Sequence, residues 1–126
     1  MQLLGGDGGN QFDIFSTVVP SQIDGGAGAN TFNLLPTSSL GASFLGPLNL
    51  GGGGGANDTL NLQDQNDPNS EAFNFAIDQF NFGDLTLASN SAFNMSFNGF
   101  NTVNLATNGH SAVFDPNDPN GILHVH

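Results

Sequence analysis

Residues 25–34, Gly-Gly-Ala-Gly-Ala-Asn-Thr-Phe-Asn-Leu, are the clearest copy of a short unit that recurs along the chain. In this unit a glycine run precedes an Asn, and an apolar–Asn–apolar triplet follows. Adjacent glycines adopt positive φ at low steric cost, and alternation of apolar and polar residues is typical of a strand with one buried face. The unit therefore predicts a tight turn that leads directly into a β-strand.

Further copies of the unit stand at residues 5–14 and 53–62, and the triplet itself recurs more often: Phe32-Asn33-Leu34, Leu48-Asn49-Leu50, Leu60-Asn61-Leu62, Phe73-Asn74-Phe75, Phe80-Asn81-Phe82, Phe93-Asn94-Met95 and Val103-Asn104-Leu105, with Phe12-Asp13-Ile14 as an acidic variant. Asn is a poor strand former, so its repetition at strand centres needs a cause. We interpret it as a ladder of amides that hydrogen-bond to one another on parallel, in-register strands. A row of outward polar residues is the alternative.

The spacing of the triplets favours stacked coils. The strand starts that we infer are Phe12, Phe32, Leu60, Phe80, Val103 and Leu123, at intervals of 20, 28, 20, 23 and 20 residues. Further candidate strands lie between them, near Val18, Phe44, Phe73, Phe93 and Val113. Coils of about twenty residues with two short strands are typical of a β-solenoid, and residues 37–55 are interpreted as a loop. The predicted fold is all-β, a short β-solenoid or β-roll-like parallel stack, with an antiparallel β-sandwich as the alternative.

Length and charge limit the classes of function. The 126 residues fit one domain, with a glycine-rich repeat region at 1–62 and an Asn/Phe-rich strand region at 70–126. The chain has no Lys or Arg and 11 acidic residues, for a net charge of −11. Sites for nucleic acid or anionic lipid need Lys or Arg, so we expect no nucleic-acid partner. No apolar run reaches the length of a membrane span.

The chain contains no cysteine, so neither disulfides nor thiolate metal sites hold the fold. Its first residues run straight into glycine without the features of a signal peptide. An acidic, cysteine-free composition is typical of extracellular bacterial proteins that divalent cations stabilise. We therefore expect a secreted or cell-surface protein, either a mature fragment or one exported without a cleaved signal.

The glycine units resemble the nonapeptide of the repeats-in-toxin family, G-G-x-G-x-D-x-U-x, although Asn10 and Asn30 stand where that repeat has Asp. The resemblance implies a parallel β-roll with Ca²⁺ between turns, held by glycine carbonyls and the Asp carboxylate. Carried over, Asp58 is the best ligand and Asn10 and Asn30 are weaker ones. Asp7 and Asp24, beside the same turns, are further candidates. Family repeats follow one another directly, whereas these copies are twenty or more residues apart, so a shared ion requires neighbouring coils to bring the turns together.

Two Asp-Asn-Pro loops form an independent calcium candidate, because alternating Asp and Asn oxygens suit a hard cation. The candidate ligands are Asp64, Asp67, Asp115, Asn117 and Asp118. No glutamate closes either loop at the EF-hand position, so an EF-hand is excluded, and solvated turns are the alternative. His124 and His126, with His110, form a zinc or copper candidate, for which polar residues at a chain end are the favoured interpretation.

No catalytic constellation is recognisable, since the chain lacks Cys, Lys, Arg, Tyr and Trp and has a single glutamate, Glu71. We expect no enzyme. The leading functional hypothesis is a calcium-stabilised extracellular structural protein, such as an adhesin or biofilm-matrix subunit, that self-assembles head-to-tail into filaments. The alternatives are a glycan-binding adhesive module and the repeat tail of a secreted enzyme.

Overall fold

The computed structural model describes residues 1–55, 57–88, 90–109, 111–114 and 117–126. Within them the chain forms strands and one short helix, in the order β1 (Gln2–Leu4), β2 (Gln11–Ile14), β3 (Ser21–Asp24), β4 (Thr31–Leu34), α1 (Leu40–Ser43), β5 (Leu48–Gly51), β6 (Thr59–Gln63), β7 (Ala72–Ile77), β8 (Gly83–Leu87), β9 (Asn90–Asn98), β10 (Thr102–Ala106), β11 (Ala112–Phe114) and β12 (Leu123–Val125). The predicted all-β class is confirmed.

The strands form two sheets. The long sheet has seven strands in the order β1-β3-β5-β9-β8-β7-β11, and the short sheet has five in the order β12-β10-β6-β4-β2. Consecutive strands alternate between the sheets through the first three coils, so the chain winds as a solenoid. The pairings are parallel except for β7–β8 and β8–β9, which are antiparallel. The antiparallel sandwich is therefore not the observed arrangement.

Two of the predicted 20-residue intervals, Phe12–Phe32 and Val103–Leu123, are steps of the short sheet, whereas the steps between them span 28 and 43 residues because Phe80 does not join the stack. Phe12 pairs with Phe32, Phe32 with Leu60, Leu60 with Val103, and Val103 with Leu123. Phe32, Leu60 and Val103 are fully buried, while Phe12 and Leu123 are partly buried at the two ends of the stack. The Phe12 and Phe32 rings lie 4.6 Å apart, centroid to centroid. Inward stacking at these positions follows from the period of two in each strand.

The outward positions of the short sheet carry the predicted amide ladder. Asn33 donates from Nδ2 to Asp13 Oδ1 at 2.7 Å, Asn61 to Asn33 Oδ1 at 2.8 Å, and Asn104 to Asn61 Oδ1 at 2.8 Å. His124 is in register as the next rung. Asparagine recurs here because each amide is both a donor and an acceptor, so it can bond to the rung on either side.

A three-stranded antiparallel meander interrupts the solenoid between the third and fourth coils. After β6 the chain forms β7, β8 and β9, and only β9 returns to pair with β5 of the third coil. The order of the strands in the long sheet therefore differs here from their order in the chain. Beyond β9 the sheet continues with β8 and then β7, and β11 pairs with β7 at the edge.

The predictions for Phe80 and for residues 37–55 are wrong. Phe80 lies in the turn between β7 and β8 and is 68 % exposed, because Asp78 Oδ1 accepts hydrogen bonds from the backbone N–H groups of Phe80 (2.8 Å) and Phe82 (3.0 Å). Asn81 in this turn has φ of 60°, a conformation that Asn tolerates better than most residues.

Residues 37–55 contain helix α1 and strand β5, with Leu40 and Phe44 in the core.

The two ends of the solenoid differ in shape. At the N-terminal end β1 and β2 are the edge strands of the two sheets. At the other end the long sheet has three strands beyond β9, whereas the short sheet has only β12 beyond β10. The C-terminal end is therefore stepped, with β12 recessed relative to β11. No helix among the described residues is long and apolar enough to cross a membrane.

Candidate functional site

The glycine turns at one side of the solenoid stack on one another, and each contributes one polar residue to an inner column. These residues directly precede the strands of the short sheet. We call the set the turn column, and its members are Asn10, Asn30, Asp58 and Asn101. Backbone and side chain are joined along it: Asn10 N–H donates to Asn30 Oδ1 (3.0 Å), Asn30 N–H to Asp58 Oδ1 (2.8 Å), and Asp58 N–H to Asn101 Oδ1 (2.9 Å).

Asn10 and Asn30 use their amide nitrogens to hold the turns together. Asn30 Nδ2 donates to the carbonyls of Gly26 (3.1 Å) and Gly28 (3.1 Å) in its own turn and of Gly52 (2.7 Å) in the next. Asn10 Nδ2 contacts the Gly6, Gly8 and Gly25 carbonyls in the same pattern. The Asn30 amide oxygen accepts two bonds from Asn10. In each of these two turns the side-chain amide nitrogen thus lies at the centre of a ring of three glycine carbonyl groups.

Asp58 breaks this pattern on the third turn. Asp58 is fully buried, and its Oδ1 accepts hydrogen bonds from the backbone N–H and from Nδ2 of Asn30. Asn30 Oδ1 accepts the same two kinds of hydrogen bond from Asn10. The second carboxylate oxygen, Oδ2, therefore occupies the position of the amide nitrogen in the other two turns. It is buried and has no hydrogen-bond partner among the residues that the structure describes. A carboxylate oxygen cannot donate to carbonyls, so this atom requires a proton or a cation.

Close stacking of the turns explains their glycines. The Gly53 backbone lies against the Gly26 carbonyl, and Gly55 lies against the Gly28 carbonyl, so a side chain at either position would collide with backbone. Gly53 also has φ of +102°. Gly53 and Gly55 of the third turn are thus the counterparts of Gly26 and Gly28 of the second turn. The carbonyls of Gly26 and Gly28 are the ones that surround Asn30 Nδ2. Carbonyl and carboxylate oxygens together form the ligand type that Ca²⁺ prefers.

The other candidates near the turns lie outside this column. Asp7 is exposed at the tip of the first turn. Asp24 ends β3, is half-buried, and its Oδ2 accepts from Gln22 Nε2 at 2.9 Å. Neither residue is brought into the ring of glycine carbonyls by the hydrogen bonds of the turns.

The two Asp-Asn-Pro loops differ from each other. In the first, Asp64 and Asp67 are both buried, and each has one carboxylate oxygen without a partner. In the second, Asp118 uses both oxygens to accept backbone N–H groups, from Ile122 (3.1 Å) and Leu123 (3.0 Å), so it orders the entry to β12. Asn117 is exposed and Asp115 lies outside the described residues.

The histidine candidate set is not assembled in the described part of the chain. His124 and His126 are exposed on and just after the terminal strand, and His110 lies outside the described residues. Among the described residues, no group of three or more His, Cys, Asp or Glu side chains is spaced to hold a metal ion. A cation at Asp58 would therefore take most of its ligands from backbone carbonyls.

Asn101 is a column member that the glycine runs do not predict, because no such run precedes it. Only Gly99 precedes Asn101, yet Asn101-Thr102-Val103 matches Asn30-Thr31-Phe32 and Asp58-Thr59-Leu60. An alignment on the Asx-Thr-apolar motif would have found it.

Comparisons of the chain with family models, curated proteins and solved structures return no match. The resemblance to the repeats-in-toxin family accordingly stays a prediction.

Proposed function

We propose that the protein is an extracellular, calcium-stabilised structural subunit that self-assembles end to end into filaments or matrix, and that it is not an enzyme. The observation that carries the proposal is the pair of open ends. Among the described residues, strands β1 and β2 at one end, and β11 and β12 at the other, have a neighbouring strand on one side only. Unpaired strand edges add further strands, and none of these edges carries a Lys to block addition.

Apolar exposure at the N-terminal coil supports association there. The exposed large apolar side chains of this coil are Met1, Leu3, Leu4, Phe15, Val18 and Val19. Leu3 is in register with buried Ile23 of the next coil, yet it is 46 % exposed because no coil covers it. A second copy of the chain would bury this surface, and burial of apolar area is the main source of favourable free energy in association.

The stepped C-terminal end selects the strand that a second copy meets first. If β2 of an incoming copy paired with the recessed β12, its β1 would collide with β7. We therefore assign the joint to β1 of one copy on β11 of the next. Such head-to-tail contacts use different surfaces on the two copies, so they build filaments and not closed dimers.

Calcium enters the proposal through Asp58 and through charge. A cation at the third glycine turn would partner Asp58 Oδ2, and it would also reduce the repulsion between subunits that each carry a net charge of −11. The experiment is negative-stain electron microscopy of the purified protein with calcium and then with chelator. Filaments are expected with calcium only, and a monodisperse monomer at high concentration in calcium would overturn the assembly.

A pair of edge variants tests the joint. The Met1 carbonyl accepts a hydrogen bond from the Gln22 N–H of β3, and the Gly5 N–H donates to the Asp24 carbonyl of the same strand. Because backbone groups alternate in direction along a strand, those of Gln2 and Leu4 point to the free edge. Leu4→Pro removes an edge donor and should stop growth while the monomer stays folded. Leu4→Ala keeps that donor and is the matched control, which should still assemble. Equal growth of the two variants would contradict the β1–β11 joint.

A glycan-binding module is the second candidate, and one observation favours it. Phe82, which is 56 % exposed, lines a surface groove of about 450 Å³ together with Asp78 and Asp84. An exposed aromatic ring next to carboxylates is an arrangement that stacks on a sugar and hydrogen-bonds its hydroxyls. Oligosaccharide binding that Phe82→Ala abolishes, by a protein that stays monomeric in calcium, would favour this candidate over filament assembly.

A further inference from the structure

The segment that follows β6 holds a second pair of buried acids, separate from the turn column. Asp64 is 1 % exposed and Asp67 is 3 % exposed. Asp64 Oδ1 accepts the backbone N–H of Leu40 at 2.7 Å, and Asp67 Oδ1 accepts that of Asn69 at 2.8 Å. The Asp67 N–H donates to the Asp64 carbonyl at 3.1 Å, which fixes the two residues in one tight turn.

Each of these acids has an oxygen that is buried and has no partner. Asp64 Oδ2 and Asp67 Oδ2 are both inaccessible to solvent and make no hydrogen bond within the described part of the chain. An unpartnered buried carboxylate oxygen carries a large desolvation penalty. Two such atoms in one turn, in a chain without Lys or Arg, have no fixed positive charge available to balance them.

The electrostatics of the segment agree with a missing positive charge. The pKa of Asp64 is raised to about 6, chiefly by burial and also by the nearby charges of Asp67 and Glu71, while the hydrogen bond from the Leu40 N–H opposes the shift. Asp67 lies in the same tight turn as Asp64 and its charge acts on Asp64, so one cation in this turn can interact with both carboxylates.

We propose that Asp64 and Asp67 bind one divalent, oxygen-preferring cation of the Ca²⁺ class through their Oδ2 atoms, at a site independent of Asp58. Oxygen ligands select Ca²⁺ or Mg²⁺ over zinc and copper. Ca²⁺ fits better, because it accepts irregular sets of carboxylate and carbonyl oxygens, whereas Mg²⁺ demands octahedral geometry.

The position of this site gives it a structural role. Asp64 N–H bonds the Ala106 carbonyl at the end of β10, and Asp64 Oδ1 holds the first residue of α1. The Asp67 carbonyl accepts from Asn108 Nδ2 at 2.8 Å, in the segment that leads to β11. The site therefore lies where the chain leaves the solenoid for the meander, and a bound cation fastens β6, α1 and the β10–β11 segment to one another.

Calorimetric titration of chelator-stripped protein with CaCl₂ tests the proposal. Asp64→Asn and Asp67→Asn keep the acceptor oxygen for the backbone N–H and remove the charge, so each should lose the same single bound ion. Asp84→Asn, an exposed acid on β8, is the matched control and should bind as the wild type does. Asp58→Asn should keep the Asp64–Asp67 ion, which separates this site from the one in the proposed function.

An amide resonance gives a second readout. Addition of Ca²⁺ to the wild type should shift the backbone N–H signals of Leu40 and Asn69, since both donate to the ligating carboxylates, and these shifts should vanish in Asp64→Asn. Circular dichroism confirms that the variants are folded. Wild-type calcium stoichiometry in both Asp64→Asn and Asp67→Asn, or unshifted Leu40 and Asn69 signals in the wild type, would overturn the proposal in favour of a carboxyl pair that shares a proton.

Discussion

The outward amide ladder of the short sheet has a direction. Each Nδ2 donates to the residue one coil nearer the N-terminus, from Asn104 to Asn61, from Asn61 to Asn33 and from Asn33 to Asp13. Asp13 is the last rung, and its carboxylate can only accept. The acidic variant of the triplet is therefore found where the ladder needs an acceptor and no donor. The ladder itself follows from sequence, because identical polar residues at one strand position predict in-register stacking.

Asp13 gives the ladder a pH dependence. Hydrogen bonds from Asn33 and, secondarily, from Gln11 hold the pKa of Asp13 below its usual value of 3.8. Because the folded pKa is lower than the unfolded pKa, the contribution of Asp13 to stability is present above pH 4 and is lost as the pH falls through the folded pKa. Urea unfolding between pH 5 and pH 2 should show that loss in the wild type and a smaller one in Asp13→Asn. Identical pH profiles for the two proteins would contradict the role of Asp13.

Turn chemistry decides which triplets become strands. The triplets of Phe32, Leu60 and Val103 follow stacked turns and pair in register, whereas Phe80-Asn81-Phe82 follows Asp78, whose side chain caps a tight turn. Apolar–Asn–apolar alternation alone does not separate the two outcomes, because Asn is common in both ladders and turns. The Asp two residues before Phe80 is the local signal. The meander was not predictable, since its place in the long sheet depends on pairing between distant strands.

The opposite environments of two phenylalanines make a matched test of strand facing. Phe32→Ala removes a fully buried ring that contacts Phe12 and Phe100, and we expect it to reduce the free energy of unfolding by about 3–5 kcal/mol. Phe80→Ala removes a ring that is 68 % exposed in a turn, and we expect little change. Chemical denaturation of both variants measures the difference. Equal losses at the two positions would contradict the assigned faces.

The glycine turns permit an equally direct comparison within one run of five glycines, residues 51–55. Gly53→Ala places a methyl group against the Gly26 carbonyl at φ of +102°, so it should cost about 1–3 kcal/mol. Gly54 has no atom near its would-be side chain and no positive φ, so Gly54→Ala should be neutral or stabilise by about 0.4–1 kcal/mol. Thermal unfolding of the two variants should rank them in that order, and the reverse order would show that the turns do not stack as described.

For the whole molecule, the dominant constraint is a net charge of −11 with no Lys or Arg. The long and short sheets bring Asp58, Asp64 and Asp67 into the interior, although buried charges are costly unless paired. Sequence composition indicated a need for cations, but it did not indicate where. Burial of particular oxygens decides the location, and burial depends on the three-dimensional stacking of turns and on the route of the segment after β6.

Asp58→Asn separates calcium stabilisation from the fold itself. In the first two turns an amide nitrogen donates to three glycine carbonyls, and the substitution supplies the same donor on the third turn in place of the unpartnered Oδ2. In excess chelator the variant should therefore melt at a higher temperature than the wild type, because a satisfied hydrogen-bonding group replaces a buried orphan carboxylate oxygen. In calcium the wild type should gain more than the variant, since stabilisation by a ligand follows its binding to the folded state. Differential scanning calorimetry at matched ionic strength measures both melting temperatures, with Asp84→Asn as the control for removal of one charge. Asp58→Asn could instead have a melting temperature in chelator equal to or lower than that of the wild type, and the same rise in melting temperature in calcium. That result would show that Asp58 neither holds a cation nor occupies the place of the missing amide.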